Sequence, residues 1–378
     1  MGSVERGGRR RTGWSAGGRR LGIALAGAAV LALGGGTLAS GSTSEGVAAA
    51  MGPYVTHNLV SDQPGKADLR DPDLVNPWGL AFGTDPATPA WTANDVTGNS
   101  TLYTGGTAGK PVKKAPLTVT IPGGAPAGAV FNDTKSFVVK SGGKKGPASF
   151  IFSSLTGKIT AWSADVPPPT SAHTEASLSG GSLTGLAIAN TSKGPRLYGA
   201  GISANRVYVW DGNFDRVKRK HAFSDPKIPS SYGPFGIDTI HGKVFVTYAK
   251  HGGYGLTAPG PGFGFVDMYS KGGKLLQRFA SHGPLNAPWA VVKTPSGWGA
   301  AGGALLIGNF GDGRINAYNP DNGKFLGALQ NGAGNAIRIS GLWALKFGNG
   351  VIGTPRTLLF TAGPAQMAHG LFGEIKPG

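Results

Sequence analysis

The chain has no cysteine among its 378 residues. Disulfides, thiolate metal sites and lipid attachment through a thiol are all excluded, so packing alone has to hold the fold. Acidic residues are scarce as well. Nineteen Asp and Glu face 36 Lys and Arg, for a formal net charge of +17. No stretch shows the spacing of a long amphipathic helix. Beyond residues 21–39, no run is apolar enough to cross a membrane. Catalytic signatures are missing too. There is no H-E-x-x-H pair, and "GISAN" (Gly201–Asn205) lacks the final Gly of a nucleophile elbow. "GGTAGKP" puts Pro111 where a phosphate loop needs Ser or Thr. Triad hydrolases and nucleotide enzymes are therefore disfavoured.

What abounds is glycine, 66 residues without a collagen period, which points to many turns between short strands. The first 50 residues read as an export leader. Six Arg precede the apolar run "LGIALAGAAVLAL", and small residues follow it, with a cut after Ala39 or near Ala50. Retention of this run as a membrane anchor is the alternative to secretion. The leader carries six Arg and two Glu, +4 of the total, leaving +13 on the remainder. Basic pairs and triplets there, such as Lys113-Lys114, Lys144-Lys145 and Lys218-Arg219-Lys220, fit solvated strand edges. Attraction to an anionic envelope polymer is the sharper reading. Aromatic residues do not interleave with these charges, which argues against a nucleic-acid site.

Short apolar segments recur after Pro, Ser or Gly turns: "NPWGLAF", "PAGAVFN", "LTGLAIAN", "GPFGIDT", "APWAVVK" and "GLWALKF". Their anchors Trp78, Gly128, Gly185, Phe235, Trp289 and Trp343 lie 50, 57, 50, 54 and 54 residues apart. That period fits the four-strand blade of a propeller. The expected fold is all-β, one six-bladed β-propeller over residues 51–378. The last unit supplies only three strands, so "YVTHNLV" (Tyr54–Val60) is expected to complete it and close the ring. In the third unit "KHAF" reads as a weak fourth strand. The Pro-rich segment Asp165–Ser177 reads as a loop.

"DPDLVNPWGLAF", "LNAPWAVV", "LIGNFGDGRINAY" and "GLWALKFGNG" resemble an uncharacterised bacterial family of exported propeller-like proteins. Some of its members carry PEP-CTERM sorting tails. The resemblance covers almost the whole chain after the leader. It implies an exported propeller and no particular activity. The chain ends at "GEIKPG" without such a tail, which implies release. More distantly, the pattern is similar to NHL-type and lactonase-type propellers, at the level of fold alone.

Asn and Asp cluster in the turns between second and third strands and between blades, which a propeller gathers on one face around its channel mouth. Turn chemistry explains each singly. Together, Asn76, Asn94, Asp95, Asn286, Asn309, Phe310 and Asp312 form a candidate ligand site there. Asp95, Asn309 and Asp312 offer oxygen ligands of the kind Ca²⁺ takes. The expected partner is a small molecule, a glycan or a cell-envelope polymer, bound by a monomer. A binding propeller is the first reading. A metal-assisted hydrolase or lactonase-like enzyme and a structural envelope protein are the alternatives.

Overall fold

The computed structural model describes residues 50–378, other than 108 and 253–256. The leader read over residues 1–50 lies outside this range except for its last residue. Six sheets make the ring, antiparallel throughout except for a short parallel edge strand, Leu69–Arg70, on the sheet that joins the two ends. Blade 1 is Pro77–Ala81, Ala90–Asn94, Asn99–Thr104 and Lys113–Thr120. Blade 2 is Pro126–Phe131, Phe150–Ser154, Lys158–Trp162 and His173–Ser177, with a small hairpin, Val138–Ser141 and Lys144–Pro147, inserted after its first strand. Blade 3 has three strands, Gly185–Thr191, Gly194–Gly201 and Arg206–Asp211. Blade 4 is Tyr232–Ile240, Lys243–Lys250, Phe265–Ser270 and Leu275–Ser281. Blade 5 is Pro288–Lys293, Leu305–Asn309, Ile315–Tyr318 and Phe325–Ala328. Blade 6 is Leu342–Phe347, Leu358–Ala362 and Leu371–Pro377, completed by Tyr54–Ser61.

The fold is thus the six-bladed propeller expected from the repeat, closed by the N-terminal strand. Tyr54–Ser61 runs antiparallel to Leu371–Pro377, from Tyr54 opposite Pro377 to Ser61 opposite Leu371. Tyr54 also staples the closing strand to blade 5. Its hydroxyl donates to the Trp298 carbonyl (3.0 Å) and accepts from the Ala301 N–H (2.8 Å), and its ring is fully buried.

Two local expectations need correction. His173–Ser177, read as loop, is the outer strand of blade 2. "KHAF" is no strand, and Phe223 there sits at φ 54°, a left-handed conformation that ends any ladder.

Neighbouring blades pack face to face through large side chains. Trp91, Phe150, Phe152 and Trp162 fill the seam between blades 1 and 2. Near the axis the inner strands converge, and only glycine fits at the closest approaches. A Cβ at Gly236 would strike the Trp289 carbonyl of blade 5, and one at Gly128 the Leu186 backbone of blade 3.

Candidate functional site at the channel

Each inner strand enters from the between-blade turn and runs along the axis. In five of the six, the register with the second strand slips near the anchor: at 77–80, 126–129, 234–236, 288–290 and 342–345. These are β-bulges, which put an extra residue on the inner strand and re-aim its side chain. Trp78, Phe235, Trp289 and Trp343 sit in the slips of blades 1, 4, 5 and 6. Blade 3 runs in unbroken register from Gly185. The N–H groups loosened by the bulges are met by hydroxyls of the second strand. Ser153 Oγ accepts from the Gly128 N–H (3.0 Å), Thr247 Oγ1 from Gly236 (2.9 Å) and Thr361 Oγ1 from Ala344 (3.1 Å). Thr361 Oγ1 also donates to the Trp78 carbonyl (2.9 Å), tying blade 6 to blade 1.

The re-aimed rings close the turn-rich end of the channel. Trp343 lies between Trp78 and Phe310, stacked on both at centroid distances of 3.5 and 4.1 Å. Phe235 stands edge-on to all three, at 5.9–6.2 Å. Trp78, Phe235 and Trp343 are at most 1% exposed, so this end is a plug.

The polar residues singled out in the sequence brace that plug and its turns. Asn76, at φ 48°, accepts from the Trp343 indole N–H through Oδ1 (2.9 Å) and donates Nδ2 to Asp95 (2.8 Å). Burial raises the Asp95 carboxyl above its usual range, and the Asn76 hydrogen bond partly opposes this. Asn94 turns into blade 1, donating to Asn99 (2.8 Å) and Thr101 (2.9 Å). Asn309 donates to the Pro284 carbonyl (2.8 Å) and to Asp312 (3.0 Å), whose carboxylate also accepts from the Arg314 N–H (3.2 Å). Asn286 Oδ1 accepts from the Gly260 N–H (2.7 Å). Phe310 belongs to the aromatic stack. Asn76 and Asp95 therefore share one set of hydrogen bonds, and Asn309 and Asp312 another. Among the described residues no three of His, Asp and Glu are placed to hold a metal ion together.

The channel's open volume lies toward the opposite end and contacts none of these seven residues. It is a cavity of about 490 Å³ reached by the inner strands of all six blades. Trp289 lies at its inner end and reaches across to blade 3, where its indole N–H donates to the Thr184 carbonyl (2.9 Å). Leu80, Val130, Leu186, Ile237, Val291 and Leu345, one from each blade, wall it. Beyond them stand Asp238 of blade 4 and Lys346 of blade 6. Burial holds the Asp238 carboxyl above its usual range, against the opposing pull of the Lys346 charge and of the Thr239 N–H bonded to its Oδ1 (2.6 Å). Asp85, Asp133 and Lys271 complete the charged lining.

Sequence reasoning missed this end because it searched the turns. A signal was present. Asp238 and Lys346 each lie three residues past an anchor, where the other units carry Ala81, Phe131, Ile188 and Val292. A charge there is charge on an inner strand.

Fold and site together define a six-bladed propeller with one plugged and one open channel end. Among solved structures, Penicillium chrysogenum alpha-L-arabinanase complexed with arabinobiose is similar, with a TM-score of 0.55 at 12% identity over 86% of this chain and 98% of that one. Fusarium graminearum alpha-L-arabinofuranosidase Arb93A with an iminosugar inhibitor gives 0.53, with the same identity and coverage. At that identity the likeness shows the fold alone. No protein-family model matches the sequence. The chain belongs to the family of the uncharacterized protein R648 of Acanthamoeba polyphaga mimivirus, with 34% identity over 299 residues, 76% of this chain and 72% of that protein. Uncharacterized protein L690 of the same virus is 27% identical over 86% of each chain. These relatives are viral and give no support to the bacterial sorting-tail family.

Proposed function

We propose that the chain is a binding propeller that takes a small polar ligand in the open half of its channel, with Asp238 and Lys346 as the recognition groups. One observation carries this reading. A closed-ended cavity with aliphatic walls holds two opposite charges on rigid inner strands, the combination that small-ligand sites favour. A sugar fits that lining, since aliphatic walls suit its C–H faces and the charged pair its hydroxyls. Arabinobiose, the ligand of one fold neighbour, is the first probe. Calorimetry with arabinobiose and a panel of neutral and charged oligosaccharides tests the proposal. Binding by the wild type that disappears in Asp238→Asn and in Lys346→Met, with both variants folded, supports it. Equal binding by those variants overturns it.

A hydrolytic reading has one specific support. A carboxyl held above its usual range is suited to protonating a leaving group, and Asp85 and Asp133 stand at the same opening as further carboxylates. Release of arabinose by the wild type but not by Asp238→Asn is its test. The Arg-rich start followed by an apolar run supports export in either case. N-terminal sequencing of secreted protein that begins between Ser40 and Gly52 is the expected result.

A further inference from the structure

Blade 3 stops one strand short, and what surrounds the empty position has its own chemistry. Its outermost strand, Arg206–Asp211, is covered over only part of its length. The chain turns back after Asp211, the Asp211 N–H bonds the Asp215 carbonyl (2.9 Å), and the Val217 N–H bonds the Val209 carbonyl (2.9 Å). The chain then leaves the edge. Outward-facing backbone groups alternate along a strand, so Val207 faces the same way as Val209. Its N–H and C=O have no backbone partner there among the described residues.

Beside this bare edge lies a groove of about 690 Å³ between blades 3 and 4. It shares no lining residue with the channel cavity. Its floor is apolar, with Val207, Val209, Ile228 and Tyr232 packed on the blade 4 core. Its rim is basic, formed by Arg206, Arg216, Lys218, Arg219 and Lys220, all exposed. One carboxylate lines it, Asp225, and that carboxylate is already paired with Arg278.

We propose that this groove docks an acidic, extended peptide segment of a partner protein, added as the missing fourth strand of blade 3. Three features converge on that occupant. The open ladder position at Val207 asks for main-chain donors and acceptors. The apolar floor takes every second side chain of a strand. The unopposed rim attracts carboxylates on the alternate side chains. A phosphate polymer would satisfy the rim and leave the floor and the ladder position unused.

The test uses the full chain and a fluorescent peptide alternating Val and Glu, followed by anisotropy. Saturable binding that weakens with salt is expected. N-methylation of the peptide's alternate amides should abolish it, because strand addition needs those N–H groups. Reversing the charge of Lys218, Arg219 and Lys220 to Glu should weaken it about tenfold. Thermal melting of that variant confirms that it is folded. The same Val-Glu composition in shuffled order should bind less well. Equal binding of the N-methylated or shuffled peptide overturns strand addition. Binding of polyphosphate without binding of the alternating peptide overturns the proposal in favour of a simple polyanion patch.

Discussion

The two ends of the central channel are built from the same six strands and have opposite chemistry. At the turn-rich end the strands bulge, and indole and phenyl rings stack across the axis. A few residues further on, the ladders regain their register, branched aliphatic chains line an open cavity, and two blades carry a charge. The difference lies in the backbone. A side chain in regular register stays within its blade's pleat, whereas a bulged one is thrown toward the axis. Bulging at one end therefore seals it, and regular register at the other leaves room. The plug is a condition for the pocket, because a channel open at both ends would offer no floor to a ligand.

Removing the plug should have the largest effect. Trp343→Ala deletes the middle ring of the stack and the indole that Asn76 accepts from. Truncation of a buried Trp costs about 3–5 kcal/mol. Denaturant unfolding should show a loss of that size. A loss under about 1 kcal/mol would mean that the rings cover the channel without holding the blades together.

The polar ring gives a sharper contrast. Asn309 is fully buried and tied to the Pro284 carbonyl, while Asp312 orders the turn through the Arg314 N–H. Asn309→Ala combined with Asp312→Ala should destabilise the fold by about 1–3 kcal/mol, the usual cost of stranding buried polar partners. The cost belongs toward the lower end, since Asn316 also donates to the Pro284 carbonyl (3.2 Å). Ligand binding in the channel should be unchanged. A double variant that keeps its melting temperature and loses a bound ligand or Ca²⁺ would move the site back to the turn-rich end.

These contrasts show where the sequence was legible. The ring was readable because every blade writes its own inner strand after a turn, and because the last unit fell one strand short. Outer strands were less so. His173–Ser177 is mostly exposed or half-buried, so it carries no apolar alternation, and it follows a Pro-rich turn. Phe223 looked like a strand residue because it is apolar, yet it reaches the blade 4 core from a turn. Asp95 and Asp312 lie in turns as read, whereas Asn94 and Asn309 are the last residues of their second strands. What composition cannot show is a bulge. One extra residue decides whether Trp343 points into its blade or across the axis, and so which end of the channel is open.

The smallest expected effect lies at the open end and concerns pH. Burial raises the Asp238 carboxyl in the folded protein above its value in the unfolded chain. Between those two values the folded state binds more protons than the unfolded one, so stability falls as pH rises. The contribution of Asp238 is fully present below the unfolded value and is lost as pH climbs through the folded one. Lys346 works against the loss, because its charge favours the ionised carboxylate. The side chain also borders the open cavity, so solvent screens part of the effect. Melting temperatures of the wild type and of Asp238→Asn, followed upward from the ordinary carboxylate range, should differ in slope, with the wild type declining and the variant flatter. Lys346→Met should steepen the wild-type decline, since the compensating charge is gone. The rings of the plug do not titrate, though Trp343 reaches the raised Asp95 carboxyl through Asn76, so the main effect of Trp343→Ala should be to shift the whole curve down. Parallel curves for the wild type and Asp238→Asn would show that the carboxyl is as well solvated folded as unfolded. Asp238 would then offer a channel ligand only a solvated charge.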